Sequence, residues 1–297
     1  MSPSGLGIDR YMKAKLLMIQ GTTSGSGKSI ITTAFCRILS DEGYNVVPFK
    51  AQNMSSNLHT ISGTTDIIAQ AQAVQALASR KLPDTRMNPI LLKPVGDYKS
   101  DLILAGRFNS TIGSREYYEN FVMQNGFPLV LNSLEGLRKE NDIVVIEGAG
   151  SPAEINLFKY DIANMLLAEK VSAPVIIVAD IERGGCFSSI VGTMKLLNRR
   201  HRNLVKGFII NKFRGDTALL IPAIDLVGEM ISKKILGVIP KVDLKLPNED
   251  SLDGVKTNGI TLSNISVDKN IDLIADVVRD RIDIRKVMRD VIRLSMI

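Results

Sequence analysis

Nine consecutive residues, Gly21-Thr22-Thr23-Ser24-Gly25-Ser26-Gly27-Lys28-Ser29, combine the groups that hold a row of phosphates. Glycines let successive backbone N–H groups turn toward one anion, a lysine ammonium reaches the β- and γ-phosphates, and a serine hydroxyl can ligate Mg²⁺. The strict form of such a loop has glycine where Thr22 stands, so this one is a variant. Its context is the required one, between the apolar run KLLMIQ and the helical run IITTAFCRIL. Thr22, Thr23, Ser24, Gly25, Ser26, Gly27, Lys28 and Ser29 are therefore read as the ligands of a nucleoside triphosphate, with ATP and Mg²⁺ the expected cofactors. Switch-type partitioning ATPases carry a second lysine at the position of Thr23, and its absence argues against that class.

A Mg²⁺ ion on nucleotide phosphates is usually shared with a carboxylate at the end of a second strand. Glu147 meets that need. It closes the run DIVVIE and precedes Gly148-Ala149-Gly150, which lets the backbone pass close to a ligand; a plain turn carboxylate is the alternative. Asp180 ends the run VIIVA in the same way. Asn211 ends GFIIN, where a side-chain amide could hydrogen-bond the adenine edge or simply cap the strand.

The elements that must position these groups are legible as apolar runs. Segments 15–20, 45–49, 142–147, 174–180, 206–211 and 235–239 are continuously apolar rather than alternating, and stretches of helical periodicity separate them. Strands buried on both faces of a parallel sheet have this pattern. The expected fold is α/β, doubly wound, with a mostly parallel sheet and ligands beyond the carboxyl ends of the strands. Residues 1–13 read as a loose polar leader, 14–252 as one catalytic domain, and 253–297 as a linker and terminal helices packing on that domain. Ile271, Ile274, Val278 and Ile282 fall near helical spacing, and Asp283 is a candidate cap.

Composition narrows the class. With 45% hydrophobic and 23% charged residues among 297, the chain is long enough for a sizeable core. No apolar stretch approaches the roughly 20 residues of a membrane helix and no signal-like h-region opens the chain, so a cytoplasmic protein without a membrane partner is expected. Two cysteines, Cys36 and Cys186, are too few for a disulfide framework, and neither has metal-ligand spacing. The net charge of +6 comes from scattered residues, the richest cluster being Arg199-Arg200-His201-Arg202. The absence of tryptophan removes the best base-stacking platform, so no nucleic-acid partner is expected.

Eight strings then run in order: KAQNMSSN (50–57), AQAVQA (71–76), MNPILLKP (87–94), EGAGSPAEINL (147–157), DIANM (161–165), ADIERGG (179–185), INKFRGD (210–216) and LPNEDSL (246–252). As a set they resemble the cobyric acid synthase family of the cobalamin pathway, in its synthetase portion. Dethiobiotin synthetase, cobyrinic acid diamide synthase and the partitioning ATPases share the loop and the P-loop NTPase, dethiobiotin-synthetase-like fold, but not that set. The resemblance implies ATP-dependent amidation of peripheral carboxylates of a corrinoid through acyl phosphates. It makes Lys28 and Glu147 catalytic together with Lys50 and Lys93, candidates for balancing the γ-phosphate or the acyl phosphate, and gives Mg²⁺ to Ser29 and Glu147. It also implies substrate contacts from Gln52, Asn53, Ser55 and Asn57 and from Ser151, Glu154 and Asn156, and it leaves a homodimer open.

Two departures qualify the match. The family has an acid before AQA, and here the nearest is Asp66, one position out of register, which makes it a second metal-ligand candidate. The family also continues into a glutaminase with a nucleophilic Cys and a His base, whereas no Cys follows Cys186 and no His follows His201. Ammonia is therefore expected from a separate glutaminase partner or from solution. A diamide synthase, a dethiobiotin-synthetase-like ligase and a non-catalytic, partner-binding P-loop ATPase stand as alternatives.

Overall fold

The structure, a computed structural model, describes residues 13–244, 246 and 265–294. The leader through residue 12, most of the string at 246–252 and the stretch 253–264 lie outside the described residues. In chain order, β1 (Lys15–Gly21) runs through the phosphate loop into α1 (Lys28–Asp41) and then β2 (Val46–Phe49). Next come β3 (Gln52–Met54), β4 (Leu58–Thr60), β5 (Ile67–Ala69), α2 (Gln70–Ala78), β6 (Ile90–Gly96), β7 (Lys99–Leu104) and β8 (Arg107–Gly113). Helix α3 (Ser114–Glu116) leads through a wider-coiled stretch, Tyr117–Gly126, into α4 (Phe127–Glu140), where a proline in the first turn needs no N–H partner. The remainder is β9 (Ile143–Glu147), α5 (Met165–Val171), β10 (Val175–Asp180), α6 (Cys186–Leu196), α7 (Arg199–Leu204), β11 (Val205–Phe213), α8 (Ile221–Ile231), β12 (Lys234–Pro240), α9 (Ile265–Arg281) and α10 (Ile284–Lys286).

The six strands expected from the apolar runs form one sheet, ordered β12-β11-β10-β1-β9-β2, with every pairing parallel. The order explains a sequence feature that would otherwise be out of place: Pro48 sits in β2, the edge strand, where a missing ladder donor is tolerated. Successive residues of β1 feed opposite cores. Leu16 and Met18 join the layer with α4, α5 and α6, and Leu17 and Ile19 join the layer with α1 and α9. On α9, Ile271, Ile274 and Val278 are fully or nearly fully buried, and Ile282 just beyond it is 3% exposed. Asp283 accepts from the Lys286 N–H as the cap of α10. Arg37 of α1, 2% exposed, makes ion pairs with Asp268 and Asp272 of α9.

A second sheet, β3-β6-β7-β8, was not expected from the sequence. It is inserted after β2, with β3 and β6 parallel and the other pairs antiparallel, and a β4–β5 hairpin precedes α2. Its strands lack a continuous apolar signature because much of the sheet is exposed; Val95, Tyr98 and Phe108 all lie largely in solvent. Among the described residues no helix is long and apolar enough to cross a membrane.

Candidate active site

Strand β1 connects onward to β2 at one edge of the sheet, whereas its neighbours β9 and β10 both connect onward toward the other edge, so its carboxyl end is the switch point where an open parallel sheet forms a crevice. The phosphate loop begins there. Gly27 has φ 97, and a Cβ on it would lie 2.1 Å from Asn211 Nδ2, so conformation and space both demand glycine. Asn211, 4% exposed at the end of β11, donates from that same Nδ2 to the Ser26 carbonyl at 3.0 Å. The amide read from sequence as a candidate for the adenine edge thus props the loop from below. Lys212, next to it in a left-handed conformation at φ 62, donates to the Gly25 carbonyl at 2.6 Å and to Asp180 Oδ2 at 2.8 Å. Sequence reasoning missed Lys212; the signal was its place beside Asn211 in INKFRGD. Thr22 accepts from Ser189 Oγ at 3.4 Å, and Lys28 Nζ lies against the Thr23 carbonyl at 3.1 Å.

Ser29 and Glu147 meet. Ser29 Oγ donates to Glu147 Oε1 at 2.8 Å, Lys50 Nζ donates to the same oxygen at 2.8 Å, and Gln75 Nε2 donates to Oε2. Glu147 is wholly buried and Lys50 is 3% exposed. Burial alone would push the Glu147 carboxyl up; the adjacent Lys50 charge, then hydrogen bonds from Lys50, Gln75 and Ser29, outweigh it and hold the group below the usual carboxylate range. An ionised carboxylate oxygen and a hydroxyl are hard donors. Octahedral Mg²⁺ with bonds of about 2.0–2.1 Å sets neighbouring ligands about 2.9 Å apart, which the Ser29–Glu147 separation matches. Among the described residues no group of three or more His, Cys, Asp or Glu could hold a metal.

The loop after β9 is fixed from behind by the DIANM segment. Asn164 accepts from Ala149 N at 3.1 Å and donates to Ala149 O at 2.6 Å, and a Cβ on Gly148 would lie 2.2 Å from Asn164 Oδ1. Asp161 in turn accepts from Asn164 Nδ2 and Met165 N, both at 3.0 Å. Burial pushes the Asp161 carboxyl up to about 7, although those hydrogen bonds pull the other way. Neither Asp161 nor Asn164 was singled out from sequence.

The remaining candidates divide into groups. Gln52 accepts from Tyr117 Oη at 2.7 Å, Asn53 donates to Gln72 Oε1 at 2.9 Å, and Ser55 Oγ accepts from Asn57 N at 3.0 Å. Lys93 lies on β6, the strand paired with β3, and its cross-strand neighbour is Asp101. Ser151 and Glu154 close a turn through Ser151 N to Glu154 Oε1 at 3.1 Å, with Asn156 exposed beyond it. Asp66 is placed elsewhere: its carboxylate accepts from Arg107 Nε at 3.1 Å at the β7–β8 turn, not from the groups around Glu147. A cavity of about 400 Å³ lined by Lys206, Lys233, Lys234 and Lys286 lies at the amino ends of β11 and β12, across the sheet from the loop, and is no part of this site.

Residues 17–252 match the family described as CobQ/CobB/MinD/ParA nucleotide binding domain. A probable cobyric acid synthase of Thermococcus kodakarensis is 51% identical over 239 residues, 80% of this chain and 49% of that protein. A cobyric acid synthase of Dehalococcoides mccartyi is 49% identical over 244 residues, 80% of this chain and 47% of that protein. The chain spans about half the length of the curated relatives it matches. Among solved structures, the septum site-determining protein MinD of Pyrococcus horikoshii, complexed with Mg-ADP, aligns with a TM-score of 0.43 at 18% identity, over 77% of this chain and 82% of that one. The strand–loop–helix at the switch point, the buried Glu147 beside it and the match over 17–252 lead to one conclusion: the chain belongs to the CobQ/CobB/MinD/ParA nucleotide-binding domain family.

Proposed function

We propose that this chain is an ATP-dependent amide ligase that converts peripheral carboxylates of a corrinoid, cobyrinic acid a,c-diamide, to the amides of cobyric acid. The observation that carries this reading is the convergence of Ser29, Lys50 and Gln75 on the buried, ionised Glu147 beside the phosphate loop. The family strings supply the substrate class.

A carboxylate at neutral pH has no leaving group, so the reaction has two steps. A substrate carboxylate oxygen attacks the γ-phosphorus and ADP departs. Ammonia then attacks the acyl carbon, loses a proton, and phosphate leaves carrying the former carboxylate oxygen. Catalysis is mainly positioning and charge neutralisation. Lys28 and the loop N–H groups would hold the phosphates, and Ser29 and Glu147 would hold Mg²⁺. When bound, that ion would neutralise developing charge on the phosphate oxygens. Lys50 keeps Glu147 ionised. Lys93 and the segment 52–57, carried on one sheet, are assigned to the substrate side, as are Ser151, Glu154 and Asn156 beyond β9. Ammonia comes from solution or from a separate glutaminase. Transfer of ¹⁸O tests the acyl phosphate: carboxylate-labelled substrate should yield one labelled phosphate per amide formed, and unlabelled phosphate would exclude that intermediate.

A further inference from the structure

Three amides connect the substrate-side segment to Glu147. Asn53 Nδ2 donates to Gln72 Oε1 at 2.9 Å, Gln72 Nε2 donates to Gln75 Oε1 at 3.4 Å, and Gln75 Nε2 donates to Glu147 Oε2. Asn53 is 3% exposed and Gln72, Gln75 and Glu147 are fully buried. The direction of the chain is dictated from one end. An ionised carboxylate only accepts, so Gln75 must turn its NH₂ to Glu147 and its carbonyl to Gln72, and the same constraint passes to Asn53. Flipping one amide would face donor with donor in a buried site, leaving groups unpaired. The local sequence builds this arrangement: Gln72 and Gln75, three apart on α2, share one face, while Ala71, Ala73 and Ala76 keep the helix slim beside them. Polar residues at fully buried helix positions cost stability unless they are hydrogen-bonded, and core packing alone would be served by leucine. Lys50, three residues before Asn53, grips the other carboxylate oxygen. One segment therefore holds Glu147 twice, directly through Lys50 and indirectly through the amides.

We propose that Gln75, aligned by Gln72 and Asn53, is a positioning residue that fixes the orientation of the Glu147 carboxylate for Mg²⁺. The inference rests on the metal reading of Ser29 and Glu147 given above. Groups that orient a metal ligand typically change affinity by about 10–100-fold when removed. The test is Mn²⁺ binding at saturating ADP, without turnover, followed by the electron paramagnetic resonance signal of free Mn²⁺ in folded protein checked by circular dichroism. Gln75→Met, close in volume but without a donor, should weaken Mn²⁺ by about 10-fold or more. Gln72→Met should weaken it less. The double variant should be no worse than Gln75→Met alone, because Gln72 acts only through Gln75; independent packing defects would multiply. Should Gln75→Met fail to fold, Gln75→Asn, which keeps the amide on a shorter reach, gives the same readout with a partial loss expected. Unchanged Mn²⁺ affinity in the Gln75 variants, or multiplicative losses in the double variant, overturns the positioning role while Glu147→Gln still loses the ion. If Glu147→Gln and Ser29→Ala also bind Mn²⁺ normally, the metal reading falls and this inference with it.

Discussion

At the scale of single residues, the account turns on charges placed where they are costly. In the proposed reaction Lys28 and Ser29 serve phosphate and metal rather than packing, so Lys28→Ala and Ser29→Ala should abolish ATP turnover with little change in unfolding midpoint. Normal turnover in both would remove the nucleotide site from this loop. Glu147→Gln should depress Mg²⁺-dependent turnover far more than nucleotide binding, read by titrating Mg²⁺ at fixed ATP. Asp161 titrates in an accessible range. Its carboxyl is raised on folding from 3.8 to about 7, so the native state binds the proton more tightly. The stability this confers is present at low pH and lost as pH rises through that window. Asp161→Asn should therefore gain on wild type in denaturant midpoint between about pH 5 and pH 8, and an equal offset at both would contradict the assignment. Cys186, 3% exposed at the start of α6, has its thiol pushed up to about 12 by burial, with the Asp180 charge adding to it. Such a thiol is a poor nucleophile. It should react slowly with aromatic disulfides at neutral pH, and Cys186→Ser should keep ammonium-dependent activity.

At the scale of elements, what could be read from sequence was what burial writes into it. The six strands of the main sheet were legible because residues such as Val144, Val145 and Ile146 are buried on both faces, which produces unbroken apolar runs. The strand–loop–helix around Lys28 was legible because its glycines have no other use. The β3-β6-β7-β8 sheet was not, since its strands are short or half exposed and mimic polar loop. Gln72 and Gln75 were visible only as letters in a string; two glutamines at helical spacing within an alanine-rich run were the signal, and only the fold shows that they face Glu147. Lys212 and Asn164 likewise act on loops distant in sequence, which no local pattern reveals. At this scale Gly27→Ala is the sharpest probe: φ 97 and a clash with Asn211 should displace the loop, so nucleotide affinity should fall steeply while the sheet stays folded. In the layer that α9 shares with α1, Ile274→Ala should cost about 2–5 kcal/mol in chemical denaturation without altering nucleotide affinity.

At the scale of the whole molecule, the parallel sheet gathers the carboxyl ends of β1, β9, β10 and β11 at one edge, and the inserted sheet brings the 50–57 segment over it. The phosphate loop, through Ser29, and the 50–57 segment, through Lys50, thus share Glu147. Ammonia as the nitrogen donor should make the rate rise with pH as ammonium gives up its proton, because only the free base has a lone pair for the acyl carbon. The most direct measurement of the central claim is mass spectrometry of cobyrinic acid a,c-diamide incubated with this chain, ATP, Mg²⁺ and either ammonium or glutamine. The account predicts stepwise amidation with ammonium, dependent on ATP and lost in Lys28→Ala, and no product from glutamine alone. An unchanged corrinoid under every condition, or glutamate released from glutamine in step with amide formation, would contradict it.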